Sequence, residues 1–174
     1  RLEPPAVAEL AGLVQQAHDQ EIAVYPLGGQ TAIHYGLAAK NDGWGMSTTK
    51  LNNIVDFPVK DLTITVETGI TMQTLNDALA KEGLMLPLDV PQQSHATLGG
   101  VISTNTNGAR RFGFGTVRDY VIGIEAVNGK GQVFHGGGRV VKNVAGYDFC
   151  KLLTGSVGTL GIITQTTVKL KPLP

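Results

Sequence analysis

Three stretches bring bare backbone to the ends of short apolar runs: YPLGGQTAIHYG (residues 25–36), TLGGVISTNTNG (97–108) and GSVGTLGII (155–163). Glycine lets main chain approach a neighbour more closely than any other residue. A fold built from this chain therefore has to set these turns where backbone meets a ligand or other backbone. Glycine makes up 23 of the 174 residues, against an average share of about 7%, and no collagen period or low-complexity tract accounts for the excess.

In the first stretch an apolar run ends at Gly28 and Gly29, followed by Gln30 and Thr31. Consecutive backbone N–H groups at such a turn form a concave nest for an anion, such as a pyrophosphate. A side chain at Gly28 or Gly29 would hold phosphates away, and Thr31 adds a hydroxyl donor. Taken alone, this loop reads better as an ordinary strand-to-helix turn. In the second stretch Thr97 stands at an N-cap position, and LGGVISTN continues as a short helix. Its first turn is expected to offer unpaired N–H groups and the positive end of the helix dipole. Gly99 and Gly100 there cost about 1 kcal/mol each relative to alanine, which points to contact with a ligand or with another backbone. Close packing of the helix on a sheet would account for one of the two.

Common nucleotide motifs are excluded. A P-loop ends in Gly-Lys-Ser/Thr, and here Gly29 is followed by Gln30. The dinucleotide fingerprint needs a third glycine opening a helix; GFGTVR has Arg118 there, outside any βαβ context. Acids and bases cancel at net charge zero, so the chain lacks the electrostatic footprint of a nucleic-acid binder. With one cysteine, Cys150, it forms no internal disulfide and no cysteine-rich zinc or iron–sulfur site. No segment approaches the roughly 20 apolar residues of a membrane-spanning helix. The start at Arg1, without methionine or a signal-like segment, leads us to expect a trimmed chain or a fragment.

Val7, Leu10, Leu13 and Val14 space out an apolar helical stripe, and the run from Ile22 to Leu27 reads as a strand entering the first glycine loop. WGMSTTKLNNIVDFP reads as two strands about a turn at Lys50, Leu51 and Asn52, closed by Pro58. These make a small α/β lobe over residues 1–58. In residues 59–174, VKDLTITVETG alternates as a strand, TMQTLNDALAKEG is a helix capped by Thr71 and stopped by Gly83, and two strands flank Asn128-Gly129-Lys130-Gly131. A short helix in YDFCKLLTGS and a last strand in LGIITQTTVKL complete a larger lobe, an antiparallel sheet with flanking helices. The fold class is α+β.

The motifs PLGGQT, VETG, LPLDVPQQSHATLGGVISTNTNG and GSVGTLGIIT occur in the order and spacing of the FAD-linked oxidases of the vanillyl-alcohol oxidase/PCMH type. The chain resembles that family over essentially its whole length. Within it, the stretch from GARRFGFG onward, above all GGRVVKNVAGYD, is most similar to the E-type FAD-binding subunit of glycolate oxidase. The resemblance implies a two-lobed PCMH-type FAD-binding domain with extended FAD between its lobes. Pro26, Leu27, Gly28, Gly29, Gln30 and Thr31 would hold the pyrophosphate. Pro91, His95, Ala96, Thr97, Gly99, Gly100, Thr104, Asn105 and Gly108 would line the flavin, and Gly69, Gly161 and Ile162 the adenosine end. Some relatives tether the flavin through a histidine where this chain has Gln30, which implies noncovalent FAD. D-type subunits usually carry glutamate where this chain has Val157.

The implied activity is oxidation of a 2-hydroxyacid, glycolate to glyoxylate, or relay of its electrons. A D-type flavoprotein subunit and an iron–sulfur subunit are the implied partners, and the implied location is cytoplasmic, peripheral at the inner membrane through those partners. A fragment of a self-contained D-lactate-type dehydrogenase and a flavin-less structural subunit are the alternatives. Relatives continue into a cap domain, absent here, which builds much of the substrate pocket, so the catalytic base is expected there. Arg110, Arg111 and Lys142 are candidate cations for the substrate carboxylate, and Tyr147 is a candidate beside Lys142. His95 falls inside a cofactor motif; His18, His34 and His135 read as surface or packing residues, without metal-ligand spacing.

Overall fold

The computed structural model describes residues 1–138 and 147–174. The first apolar stripe forms helix α1 (Val7–Asp19) and buries Leu10, Val14 and Ala17. Strand β1 (Ala23–Leu27) runs parallel to β2 (Gly43–Ser47), and Leu2 bridges to Met46 on the other edge of β2. Between these strands the glycine loop runs into a single 3-10 turn, Ile33–Tyr35, not a helix. α1 closes this small lobe with a core of Leu10, Val14, Met46 and Leu51 that extends onto Val127 and Ile162.

The larger lobe contains β3 (Ile54–Asp56), β4 (Thr63–Glu67), helix α2 (Met72–Lys81), the short strand β5 (Leu84–Met85) and helix α3 (Leu98–Thr104). Two one-turn helices, α4 (Arg111–Phe114) and α5 (Val117–Tyr120), lead into β6 (Val121–Val127) and β7 (Val133–Gly137). Helix α6 (Phe149–Leu153), β8 (Ile162–Lys169) and β9 (Lys171–Pro172) end the chain. The sheet is antiparallel in the order β3-β4-β8-β6-β7, while β5 pairs with β9. β8, late in sequence, thus sits at the centre. β3 does not stay with the small lobe: the turn closed by Leu51 N–H on the Thr48 carbonyl redirects the chain, and Ile54 pairs with Val66. The large sheet accordingly starts before residue 59.

Ile64 and Val66 of β4, Met72, Leu75 and Leu79 of α2, Leu98 and Ile102 of α3, and Val168 of β8 are all fully buried in one core. The threonines of the sheet are buried as well, and most of their hydroxyls are paired. Thr65 and Thr167 share a 2.8 Å hydrogen bond, and Thr166 donates to the Gly123 carbonyl at 3.0 Å. Helix ends follow their local chemistry: Thr71 Oγ1 accepts from Thr74 N–H, and Gly83 takes the left-handed backbone (φ 65°) just beyond α2.

Two carboxylates hold short helices. Asp119 accepts from the Thr116 N–H at 2.7 Å and the Thr116 hydroxyl at 2.9 Å, and these bonds keep its carboxyl below the ordinary value of 3.8. Asp148 is lowered likewise, by the Lys151 ammonium at 2.8 Å and the Lys151 N–H at 3.0 Å. A carboxyl lowered in the folded state contributes stability above its unfolded pKa, and that contribution disappears as pH falls through the folded pKa. Acidification from about pH 5 to about pH 2 should therefore lower the urea midpoint. The double variant Asp119→Asn/Asp148→Asn should lose less of its midpoint over that interval; equal losses would place the acid sensitivity in other carboxylates.

Candidate functional site

The first two glycine loops meet at Thr97. Its buried hydroxyl accepts long hydrogen bonds from Gly29 N–H (3.4 Å) and Gly100 N–H (3.3 Å), tying the loop after β1 to the start of α3. A Cβ at Gly28 would collide with Thr97 Oγ1, and one at Gly29 with the His95 carbonyl. The glycine pair is therefore required first by backbone packed on backbone. What the loop leaves open are amides: among the described residues, Gln30, Thr31 and Ala32 N–H donate to no protein group. Gln30 takes the left-handed conformation (φ 60°), the kind of turn in which successive amides form a nest suited to an anion.

The start of α3 corrects the expectation of free amides there. Leu98 N–H donates to the Ile70 carbonyl at 2.9 Å, Gly99 N–H to the Thr68 carbonyl at 2.8 Å, and Gly100 N–H to Thr97. These donors belong to the chain itself, because α3 is docked end-on against the segment after β4. The two helix glycines also separate. A Cβ on Gly99 would lie 2.9 Å from Thr68 Cβ, whereas one on Gly100 would meet only Thr97 Oγ1, at 3.3 Å, and otherwise open space. Gly99 serves helix–sheet packing; Gly100 leaves room.

The third loop is dominated by left-handed backbone: Gly155 (φ 84°), Val157 (φ 53°), Gly158 (φ 74°) and Gly161 (φ 158°). Gly155 N–H bonds to the Ile102 carbonyl and Val157 N–H to the Ser103 carbonyl at 2.8 Å, which fixes the loop to the end of α3. Gly158 packs on Pro26 of β1, with room for no more than a 3.1 Å approach of a Cβ. A β-branched residue at φ 53°, as Val157 is, carries strain on the order of 1–3 kcal/mol.

Two cavities open at this junction, sharing Gly28, Gly29, Gln30 and Thr97. One, of about 400 Å³, adds Pro26, Leu27, Thr31, Pro91, Gly99, Gly100, Thr104, Gly161 and Ile162. The other, of about 440 Å³, adds Gly69 and His95 together with Arg1, Thr49, Asn52, Thr71, Thr74 and Ser94. Both volumes fall in the roughly 300–1,000 Å³ range of small-molecule sites. Gly69, grouped from the sequence with Gly161 and Ile162, thus lines a different cavity from them, and His95 a different one from Pro91. Ala96, Asn105 and Gly108 line neither cavity. Ala96 receives Met72 N–H, Asn105 ends α3 in the left-handed conformation, and Gly108 packs against Asp89. Tyr25, Ile33, Tyr35 and Leu37 line the first cavity without having stood out in the sequence, and Val157 lines it too.

The candidate cations divide. Arg110 pairs with Asp89 at 3.1 Å and also donates its backbone N–H to that carboxylate at 2.8 Å. Arg111 is exposed, carries no carboxylate partner among the described residues, and lies 5.3 Å from the Phe112 ring centre. Tyr147 is 86% exposed and lines neither cavity; Lys142 lies outside the described residues. Asp148 caps α6 and pairs with Lys151. His95 Nδ1 lies 2.9 Å from Ser94 Oγ, and His135 pairs with Glu125 at 3.0 Å. Burial pushes the Cys150 thiol up to about 11. Among the described residues no cluster of three potential metal ligands forms, and no helix is long and apolar enough to cross a membrane.

A family model described as an FAD binding domain matches residues 2–137. The chain is 36% identical to a D-2-hydroxyglutarate dehydrogenase of Xanthomonas citri pv. viticola, over 98% of this chain and 36% of that protein. It is 34% identical to glycolate oxidase subunit GlcD of Bacillus subtilis, over 98% of this chain and 36% of that one. It is also 34% identical to a D-lactate dehydrogenase of Archaeoglobus fulgidus, over 98% of this chain and 38% of that one. The chain spans about a third of the length of these curated relatives. Among solved structures, an alkyldihydroxyacetonephosphate synthase superposes with a TM-score of 0.84 at 25% identity, covering 99% of this chain and 34% of that one.

Proposed function

The chain belongs to the FAD-binding-domain family, and from that premise we propose that it is the FAD-binding part of an oxidoreductase acting on the CH–OH carbon of a 2-hydroxyacid. The observation that carries this reading is the junction itself. The residues with unpaired amides, Gln30, Thr31 and Ala32, all line one cavity, and Gln30 also lines the second. A diphosphate bound at these amides leaves cavity space for the parts of a dinucleotide, so the residues present fit FAD. Bound FAD supplies acceptance of a hydride equivalent from the hydroxyl-bearing carbon. The chain's own part is to neutralise the diphosphate with backbone dipoles and keep apolar walls (Pro26, Leu27, Ile162) around it. Gln30 offers no nucleophile for a covalent tether, so binding is noncovalent. Among the described residues, Arg111 is the candidate cation without a carboxylate partner and so open to a substrate carboxylate.

On the finer scale, the stretch from GARRFGFG to GGRVVKNVAGYD supports an E-type subunit of glycolate oxidase, partnered by a D-type flavoprotein and an iron–sulfur subunit. A second reading, part of a self-contained D-lactate or D-2-hydroxyglutarate dehydrogenase, is supported by relatives of those names at equal or higher identity. Titration with FAD, followed anaerobically by glycolate, D-lactate and D-2-hydroxyglutarate, tests both. Uptake of FAD is the expected result, and a chain that takes up none would overturn the reading. Bleaching by glycolate only in the presence of partner subunits supports the E-type assignment. Bleaching of the isolated chain by D-lactate supports the second reading.

A further inference from the structure

The segment after the amide nest is an unusual neighbour for a cavity. Ile33, Tyr35 and Leu37 line it, yet they are 61%, 62% and 94% exposed. From Gly36 through Lys40 no residue makes a hydrogen bond among the described residues. The segment is held only at its ends: by Ile33 N–H on the Gln30 carbonyl and Tyr35 N–H on the Ala32 carbonyl, and by the Tyr25 hydroxyl on the Asn41 carbonyl at 2.8 Å. Gly36 has ordinary extended backbone (φ −84°, ψ 167°), and a Cβ there would meet nothing within 4 Å. Nothing in this conformation requires a glycine. A second, independent feature lies on the same cavity: Val157, half-exposed and strained in the left-handed region, in a loop tied to α3 and to Pro26. Strain of that kind in a β-branched residue marks ligand clamps.

We infer that residues 33–41 form an arm that folds across the cavity mouth when the dinucleotide binds, so that Tyr35 and Leu37 cover one of its planar rings against the loop carrying Val157. The arm hinges at Gly36. The inference rests on the proposal that this cavity takes FAD, but assigns to the arm and to Val157 a grip that the glycine motifs do not supply. Apolar and aromatic side chains recognise a flat heterocycle through burial and stacking, and adenine and the isoalloxazine share that chemistry.

The test is calorimetric titration of wild type, Tyr35→Ala, Leu37→Ser and Val157→Gly with FAD, ADP and FMN, beside limited trypsin digestion. Tyr35 and Leu37 are exposed, so their variants should fold with unchanged melting temperature. Val157→Gly should melt higher without ligand, because the strain is relieved. Each variant should weaken FAD binding by about tenfold. The same loss should appear with only one of the half-molecules: with ADP if adenine is gripped, with FMN if the flavin ring is. Lys40, the sole tryptic site between Arg1 and Lys50, should be shielded by saturating FAD more strongly than Lys130 in the β6–β7 turn. Unchanged FAD affinity in all three variants overturns the clamp. Cleavage at Lys40 as fast with FAD as without it overturns the closure. A wild-type chain that binds no FAD removes the premise and the inference together, and is told apart from both by the wild-type titration alone.

Discussion

Gly29→Ala is expected to abolish FAD uptake and destabilise the fold, whereas Gly100→Ala is expected to stabilise the fold and still impair FAD binding. At Gly29 the added methyl would be driven into the His95 carbonyl. That obstacle is main chain, held by His95 N–H on the Gln92 carbonyl, and no side-chain rotation relieves it. The loop has to shift, at about 1–3 kcal/mol for an overpacked site, and the amides of Gln30, Thr31 and Ala32 shift with it. Hydrogen bonds to a charged group contribute about 1.5–3 kcal/mol each, so losing two lowers affinity by more than about 100-fold. At Gly100 the methyl meets only Thr97 Oγ1, at 3.3 Å. Alanine is the better helix former there by roughly 0.5–1 kcal/mol, but the methyl enters the cavity wall. Denaturant midpoints and FAD titrations of the two variants decide the matter. Wild-type FAD affinity in Gly100→Ala would show that the cofactor does not touch that wall.

The contrast between those glycines also marks what the sequence could and could not disclose. Thr71 and Thr97 were legible as caps, Gly83 as a stop and Asn128-Gly129 as the start of a turn, because each acts on residues within a few positions of itself. The free first turn of α3 was misread for the opposite reason. The acceptors that fill it, the carbonyls of Thr68 and Ile70, lie about thirty residues away along the chain, and a helix end looks open until its docking partner is known. Arg110 was a plausible carboxylate binder until the fold brought Asp89 to it. The pairing of β3 with β4, not with the small lobe, likewise follows from a turn that composition does not announce. At the site, glycine content exposed the loops, but not which face of each glycine is pressed against protein. The left-handed backbone of Gln30 and Val157 gave no cue, since neither residue type advertises that conformation. Tyr35 and Leu37 do not stand out in the sequence, and only the cavity beside them gives them a place in the site.

The largest effect at a side chain is expected at Thr97. Thr97→Val keeps the shape and removes the oxygen that ties the first loop to the second. The hydroxyl caps α3 through Gly100 N–H and receives Gly29 N–H, on a residue that is 2% exposed. Losing an N-cap costs about 1 kcal/mol, and leaving a buried amide unpaired adds roughly 1–3 kcal/mol. The new methyl also presses on the bare face of Gly28, where a Cβ is already excluded by the hydroxyl. Thr97→Val should therefore lower the unfolding free energy by about 2–4 kcal/mol, and FAD affinity should fall by more than about tenfold as the amide nest loses its anchor. Thr97→Ser restores the oxygen and gives up only a methyl group, so it should recover most of both quantities. If serine behaves like valine, the methyl and not the hydroxyl fixes this junction. If valine behaves like wild type, the two loops are held together by backbone contact between Gly29 and His95 without help from the cap.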